Sequence, residues 1–161
     1  MKIKFYSSSP EKTEKAGMLI GQVLPPGCVV LLEGDIGCGK TCFTRGIVVG
    51  RGLEKEEVSS PSFTIIQEYG DVIHIDLYRL ESEEDIFGVG IEDYLYEDNL
   101  IKVIEWPQKI DSNFEDFPFP VLRIECFYEG DGRVFEIEGD KDLIDVIKKN
   151  LLNGGVDVKD S

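Results

Sequence analysis

The hydrophobic positions of the chain form short apolar runs that predict β-strands. The run at residues 28–34, CVVLLEG, is continuously apolar, as expected for a central strand that is covered on both faces. The run at residues 100–106, LIKVIEW, has the same character. Turn residues at 70–71 and 129–132 separate two further pairs of runs and predict hairpins, and the weak alternation of residues 2–7 predicts a first strand.

Apolar residues with helical spacing occupy the segments between these strands. Ser9 is a candidate N-cap for the first helix, with Pro10 at the first helical position. We expect a second helix to begin near Lys40 and a last one near Asp140, and residues 82–98 predict one or two short helices between them. Strands that alternate with helices in this way predict an α/β fold with a partly parallel sheet.

The composition is that of a globular protein of one domain. The chain has 161 residues, 42% of them hydrophobic, so we expect residues 1–152 to form a single domain and residues 153–161 a flexible tail. A formal net charge of -15 argues against direct binding to nucleic acid, which depends on lysine and arginine. The acidity either serves solubility or marks a surface for a basic protein partner. No run is long enough to span a membrane and no signal peptide is visible, which predicts a cytoplasmic protein.

The cysteines do not have the spacing of a metal site. Cys28, Cys38, Cys42 and Cys126 form no C-x-x-C pair, and His74 is the single histidine, so a structural zinc site is not expected. Reduced thiols fit a cytoplasmic protein, with Cys28 and Cys126 as small core residues. Cys38 lies where a helix N-terminus favours the thiolate, and either fills a loop or acts as a redox switch.

The stretch GDIGCGKT at residues 34–41 matches the phosphate-binding pattern G-x-x-x-x-G-K-[ST] in full. Glycines let successive backbone amides point at phosphate oxygens, Lys40 reaches the terminal phosphates, and the Thr41 hydroxyl can ligate magnesium. An ordinary glycine-rich turn is the alternative, but a buried strand before the loop and a helix after it favour the phosphate site. The predicted nucleotide-binding loop consists of Gly34, Asp35, Ile36, Gly37, Cys38, Gly39, Lys40, Thr41 and Cys42.

Acidic residues end two neighbouring apolar strands. Asp76 ends VIHID and Glu105 ends IKVIE, and a P-loop site needs such a residue to hold the metal directly or through water. Each alone is also compatible with an ordinary surface acid. The hydroxyl-rich residues 59–64 are either a loop that senses the terminal phosphate or a simple turn.

Four stretches in this order, GDIGCGKTCFTRG, SSPSFTIIQEY, HIDLYRL and VIEWP, closely resemble the bacterial TsaE (YjeE) family of small P-loop ATPases. The resemblance covers roughly residues 5–130. Together with the alternation of strands and helices, it implies a P-loop NTPase-like three-layer sandwich with a mixed, largely parallel central sheet and a C-terminal antiparallel hairpin.

The resemblance also implies roles for individual residues. The loop would bind ATP, with Lys40 contributing to catalysis and Thr41 on magnesium. Glu105 matches the family's second magnesium-site carboxylate, and Asp76 matches an acid needed for hydrolysis that orients the water or the metal. Further contacts to the nucleotide are implied for Thr13, Ser62, Thr64 and Trp106.

One departure from the family lies at Cys42, where a second threonine often follows the loop. A hydroxyl contact to the α-phosphate would then be missing or replaced by a backbone amide.

By resemblance, the protein is an Mg²⁺-dependent ATPase that assists the formation of N6-threonylcarbamoyladenosine at position 37 of tRNA. It would dock on the transferase subunit TsaD and its paralogue TsaB, and ATP hydrolysis would reset the complex between turnovers. The tRNA would be contacted only through the complex. A small-molecule P-loop kinase is the alternative, although no arginine-rich lid is visible, and a nucleotide-sensing module that scarcely hydrolyses ATP is a third class.

Overall fold

The structure is a computed structural model that describes residues 1–54, 66–82, 84–85, 90–110, 114 and 116–161. The regular elements of this part of the chain are β1 (Lys2–Ser7), α1 (Pro10–Gly21), β2 (Val29–Glu33), α2 (Lys40–Gly50), β3 (Ile66–Tyr69), β4 (Val72–Asp76), α3 (Ile91–Leu95), β5 (Ile101–Glu105), a 3-10 turn (Pro107–Lys109), β6 (Val121–Glu129), β7 (Gly132–Glu138), α4 (Lys141–Asn153) and β8 (Lys159–Asp160). The order of strands and helices expected from the hydrophobic pattern is confirmed.

The strands form one mixed sheet in the order β3-β4-β5-β2-β6-β7-β1-β8. The four central strands β4, β5, β2 and β6 are parallel neighbours, while the outer pairs are antiparallel. Among the described strands, three pairings are parallel and four are antiparallel, which confirms a mixed sheet with a parallel centre and a C-terminal antiparallel hairpin. Two of the antiparallel pairings follow from the tight turns at 70–71 and 130–131, which can join only antiparallel strands.

Two hydrophobic cores lie on opposite faces of the sheet and give the predicted three layers. The larger core packs α1, α2 and α4 against one face, with Phe135 stacked between Phe5 and Phe43 at ring-centroid distances of 5.2 and 5.3 Å. The smaller core packs α3 and Phe114 against the other face. None of the helices in the described part of the chain combines the length and apolar character needed to cross a membrane.

Side-chain caps fix the starts of three helical segments. Ser9 caps α1, and its hydroxyl accepts the N–H three residues later at 3.2 Å, with Pro10 in the first turn as expected. Asp140 caps α4, and its carboxylate accepts the N–H of Asp142, two residues later, at 3.3 Å. The hydroxyl of Ser82 accepts the N–H of Asp85 at 3.1 Å, at the start of the segment 82–98 that the sequence predicts to be helical. Each cap satisfies an N–H group that the helix itself leaves without a partner.

Glycines bring α1 and α2 into contact backbone to backbone. A Cβ atom added to Gly21 would lie 2.6 Å from the carbonyl oxygen of Ile47, and one added to Gly46 would lie 2.9 Å from the Cα of Gly17. Real Cβ atoms do not approach other atoms so closely, so each of these positions accommodates only glycine. This contact fixes α2, whose first residue is Lys40, relative to α1.

The expectation of a frayed C-terminal tail is wrong. After α4 the chain crosses to the sheet edge, where it forms β8 beside β1. There Lys159 pairs with Lys4, and the N–H of Ser161 donates to the carbonyl of Lys2 at 2.9 Å. Val156 and Val158 pack against the larger core on the way. These contacts hold the tail along the outer edge of the sheet.

Candidate nucleotide-binding site

The predicted phosphate loop joins the carboxyl end of β2 to the N-terminus of α2. Gly37 and Gly39 have φ values of 81° and 118°, a region that disfavours side chains, so the glycines are required by the turn itself. Asp35 and Ile36 are exposed at the tip of the loop. A strand-to-helix loop of this kind directs backbone N–H groups towards an anion, and the helix dipole adds to the attraction.

Lys40 lies against the loop and faces the end of β5. Its side chain is 6% exposed, and its amine donates to the carbonyl of Gly34 at 2.6 Å. The same amine lies 3.8 Å from a carboxylate oxygen of Glu105 and 4.4 Å from the ring centroid of Trp106. One cation therefore links the loop, the carboxylate and the aromatic ring that the sequence had indicated separately.

The two predicted acids are brought side by side by the register of the parallel strands. Asp76 of β4 is the direct neighbour of Glu105 of β5. Burial raises the pKa of the Asp76 carboxyl and the charge of Glu105 adds to the rise, although Asp76 also accepts the N–H of Tyr78 at 2.9 Å, which opposes it. Glu105 is only 4% exposed. The pair therefore concentrates negative charge at one point of the sheet edge, next to Lys40.

Sequence reasoning missed the role of His74. Its Nε2 lies 2.5 Å from the second carboxylate oxygen of Glu105, and the ring is fully buried. Its Nδ1 has no hydrogen-bond partner among the described residues. A signal was present, because His74 and Asp76 are two residues apart on one strand and so lie on the same face.

Trp106 follows Glu105 in an unusual backbone conformation. Its φ of 59° and ψ of 48° are left-handed, the only positive φ of a non-glycine residue in the described part of the chain. The indole packs on Tyr78 with the ring centroids 4.9 Å apart. Left-handed residues of this kind concentrate at functional sites, and this one presents the indole to Lys40.

A small cavity opens on the other side of the loop. It has a volume of 160 Å³ and is lined by Ser7, Ser8, Ser9, Pro10, Thr13, Gly37, Cys38, Gly39, Cys42, Asp131, Gly132 and Arg133. Thr13 is buried, with its hydroxyl 2.7 Å from that of Ser7. The structure thus brings Thr13 and Cys42 together beside the loop, as the predicted nucleotide contacts require. Their roles stay predictions.

Side chains of the β6–β7 hairpin contact the phosphate loop. The sequence did not indicate this role of the hairpin. Arg133 donates to the carbonyl of Cys38 at 3.1 Å, and the Tyr128 hydroxyl donates to the carbonyl of Ile36 at 2.8 Å. Cys38 and Cys126 are joined by a disulfide with a Cα–Cα distance of 6.2 Å. The expectation of reduced thiols is therefore wrong for this pair, because the fold places two cysteines 88 residues apart in the chain next to each other.

The remaining predicted residues divide into two groups. Thr41 is half-buried in the first turn of α2, next to Lys40. Ser62 and Thr64, predicted in a phosphate-sensing loop, lie outside the described residues.

The oxygen donors near the loop fit magnesium. The hydroxyl of Thr41 and the carboxylates of Asp76 and Glu105 are hard ligands of the kind that this ion takes. Within the described residues, no cluster of three or more histidine, cysteine or acidic side chains forms a ready cation site. This is compatible with Mg²⁺, which protein sites hold through one or two side chains together with phosphates.

Comparisons with known proteins identify similar chains. The chain is 37% identical to the tRNA threonylcarbamoyladenosine biosynthesis protein TsaE of Treponema pallidum (strain Nichols), over 73% of this chain and 89% of the relative. It is 36% identical to the protein of the same name from Bacillus subtilis (strain 168), over 80% of each chain. Among solved structures, the crystal structure of Bacillus subtilis YdiB superposes with a TM-score of 0.71 at 28% identity and covers 95% of both chains.

The family model described as "Threonylcarbamoyl adenosine biosynthesis protein TsaE" matches residues 7–134, from the end of β1 into β7. This range contains the loop, both acids, His74 and most of the hairpin. The chain belongs to the TsaE family.

Proposed function

We propose that the protein binds and hydrolyses ATP with Mg²⁺ and serves the threonylcarbamoylation of adenosine 37 in tRNA. The observation that carries this proposal is the position of Lys40, whose amine lies between the phosphate loop and Glu105. Relatives that are 36–37% identical to this chain carry the name of the tRNA threonylcarbamoyladenosine pathway.

The residues at the loop have different roles in the proposed hydrolysis of ATP. The loop amides and Lys40 hold and neutralise the phosphates, which is the main contribution of a protein to phosphoryl transfer. Thr41 and Glu105 would hold Mg²⁺, which when bound neutralises charge on the phosphate oxygens. Asp76, with its raised pKa and its position next to Glu105, orients the attacking water or the ion.

The acidity of the chain supports a role through protein partners. With a net charge of -15, the protein repels the tRNA backbone, so the tRNA is held by other subunits. We assign these to the transferase subunit TsaD and its paralogue TsaB, with hydrolysis resetting the complex between turnovers in the cytoplasm.

A phosphate-release assay with and without the TsaD–TsaB pair tests this function. Free phosphate without any acceptor, released faster with the pair present, is the expected result. Transfer of the phosphate to a small molecule would instead identify a kinase, and hydrolysis unaffected by the pair would remove the proposed partners.

Two lysine variants locate the activity at the loop. Lys40→Ala should abolish hydrolysis, because the only cation between the loop and Glu105 in the described structure is lost. Lys141→Ala is the matched control, since that lysine is exposed on α4, where it pairs with Asp145. Full activity of Lys40→Ala would refute the proposed site.

A further inference from the structure

The disulfide between Cys38 and Cys126 joins the phosphate loop to the central sheet. Cys38 belongs to the loop itself, and Cys126 lies on β6, which is fixed in the sheet by β2 on one side and β7 on the other. The disulfide therefore anchors a glycine-rich loop to a strand that is paired on both sides.

We propose that Cys38 and Cys126 form a reversible oxidation site for a peroxide, and that the disulfide holds the loop in its nucleotide-binding conformation. This inference rests on the proposed function, because its effect is read as a change in nucleotide affinity. Nothing in the chemistry of a P-loop requires these two cysteines, so the site is an addition to the ATPase machinery.

The surroundings of Cys38 favour a small oxidant. The residue lines the cavity of 160 Å³ beside the loop, which is large enough to admit a molecule of the size of hydrogen peroxide. Cys126 is also buried and is not among the residues that line this cavity. The reaction therefore starts at Cys38 and is completed by Cys126.

The reaction balances with peroxide as the only oxidant. The Cys38 thiolate attacks one oxygen of hydrogen peroxide, the O–O bond breaks, and a sulfenic acid and hydroxide form. The Cys126 thiol then attacks the sulfenic sulfur, the S–O bond breaks and water leaves, which gives the disulfide. A dithiol returns both sulfurs to thiols by exchange. In a reducing cytoplasm a bond of this kind is transient and serves regulation.

The conformation of the loop in the disulfide form predicts that oxidation increases the affinity for nucleotide. With the disulfide formed, Gly37 and Gly39 already have the left-handed φ values that a phosphate nest needs, and α2 begins at Lys40. The oxidised loop is thus organised before the nucleotide arrives. The reduced loop must be ordered on binding, which we expect to weaken nucleotide affinity about fivefold, the cost of ordering roughly one residue.

The fluorescence of Trp106 gives a direct measurement. It is the single tryptophan of the chain and lies 4.4 Å from the Lys40 amine, so its emission reports nucleotide binding without an activity assay. The dissociation constant for ATP is measured on the full chain after treatment with peroxide and after treatment with a dithiol. Peptide mapping establishes which cysteines are joined.

The thermodynamic linkage between ATP binding and disulfide formation supplies a second measurement. If the disulfide form binds ATP about fivefold more tightly, saturating ATP must shift the dithiol–disulfide equilibrium towards the disulfide by the same factor. Cys126→Ser should lose both responses and bind ATP with the affinity of the reduced protein. Cys28→Ala is the matched control, because Cys28 is also buried but lies outside the pair and should leave both responses intact.

The outcomes separate the two proposals. If ATP binds in neither redox form, the proposed function fails and the inference fails with it. If ATP binds with equal affinity in both forms, or if peroxide does not join Cys38 to Cys126, the inference is overturned while the ATPase function stands. Tighter binding by the reduced form would also overturn it.

Discussion

Replacing Gly46 with alanine tests the close contact between α1 and α2 that fixes the start of α2. The new Cβ would overlap the carbonyl oxygen of Glu14 and would lie 2.8 Å from the nitrogen of Met18 and 2.9 Å from the Cα of Gly17. All three are backbone atoms of α1, so no side-chain rotation can relieve the overlap. The two helices must move apart, and the core between them must open.

The expected loss of stability follows from two opposing effects. Forcing an extra methyl group into a packed core costs about 1–3 kcal/mol, and contacts with backbone atoms put this site at about 3 kcal/mol. Alanine is favoured over glycine within a helix by about 1 kcal/mol. The free energy of unfolding should therefore fall by about 2 kcal/mol, which lowers the melting temperature of a domain of this size by about 4–8 °C.

Urea titration followed by circular dichroism measures this change, provided that the slope with urea concentration stays constant. A reductant is included so that the disulfide contributes to neither protein. Gly52→Ala is the control, because its φ is 86° and nothing lies within 4 Å of the added Cβ, so it carries only a backbone cost of about 1 kcal/mol. A Gly46→Ala protein as stable as the wild type, or more stable, would refute the close packing.

Two further predictions concern the charged side of the site. His74→Leu removes the ring that contacts Glu105, and we expect half-maximal hydrolysis to need about tenfold more Mg²⁺, as for other residues that orient a metal ligand. His74→Gln, which keeps a donor, should restore most of the loss; no difference between the two would show that the ring only fills space. Asp76→Asn should raise the melting temperature at pH 7 while stopping hydrolysis. Because the folded pKa of Asp76 is raised, the folded state binds this proton more tightly than the unfolded state, so stability falls as the pH rises through that pKa. The advantage of the variant must shrink as the pH is lowered through the same range, and an advantage independent of pH would contradict this explanation.

Much of the fold could be predicted because its signals are local. A hairpin follows from two apolar runs around a short turn, as at 129–132, and a helix start follows from a cap such as Ser9. The C-terminal tail was missed because its only apolar residues, Val156 and Val158, stand in a polar stretch. The residues that follow them, Lys159 and Asp160, pair with β1 at the other end of the chain.

The candidate site also has one part that could be predicted from local sequence and one part that could not. The phosphate loop and the acids Asp76 and Glu105 are recognisable because each lies in a short motif next to a strand end. The contribution of the hairpin depends instead on pairs such as Cys38 with Cys126 and Arg133 with the Cys38 carbonyl, which are 88 and 95 residues apart. No spacing rule reaches so far, and a cysteine without a nearby partner in sequence is most simply expected to be a core residue.

The position of β2 in the sheet explains why chemistry and control can be separate in so small a protein. β2 pairs with β5 on one side and with β6 on the other, and the phosphate loop follows its carboxyl end. On the β5 side the loop meets Glu105 and Trp106, which face Lys40. On the β6 side it meets the disulfide and Arg133, which contact the loop through sulfur and carbonyl atoms and not through its amides. The proposed oxidation would therefore change how firmly the loop is held without involving the side chains of Glu105 and Lys40, which we propose to bind the metal and the terminal phosphate.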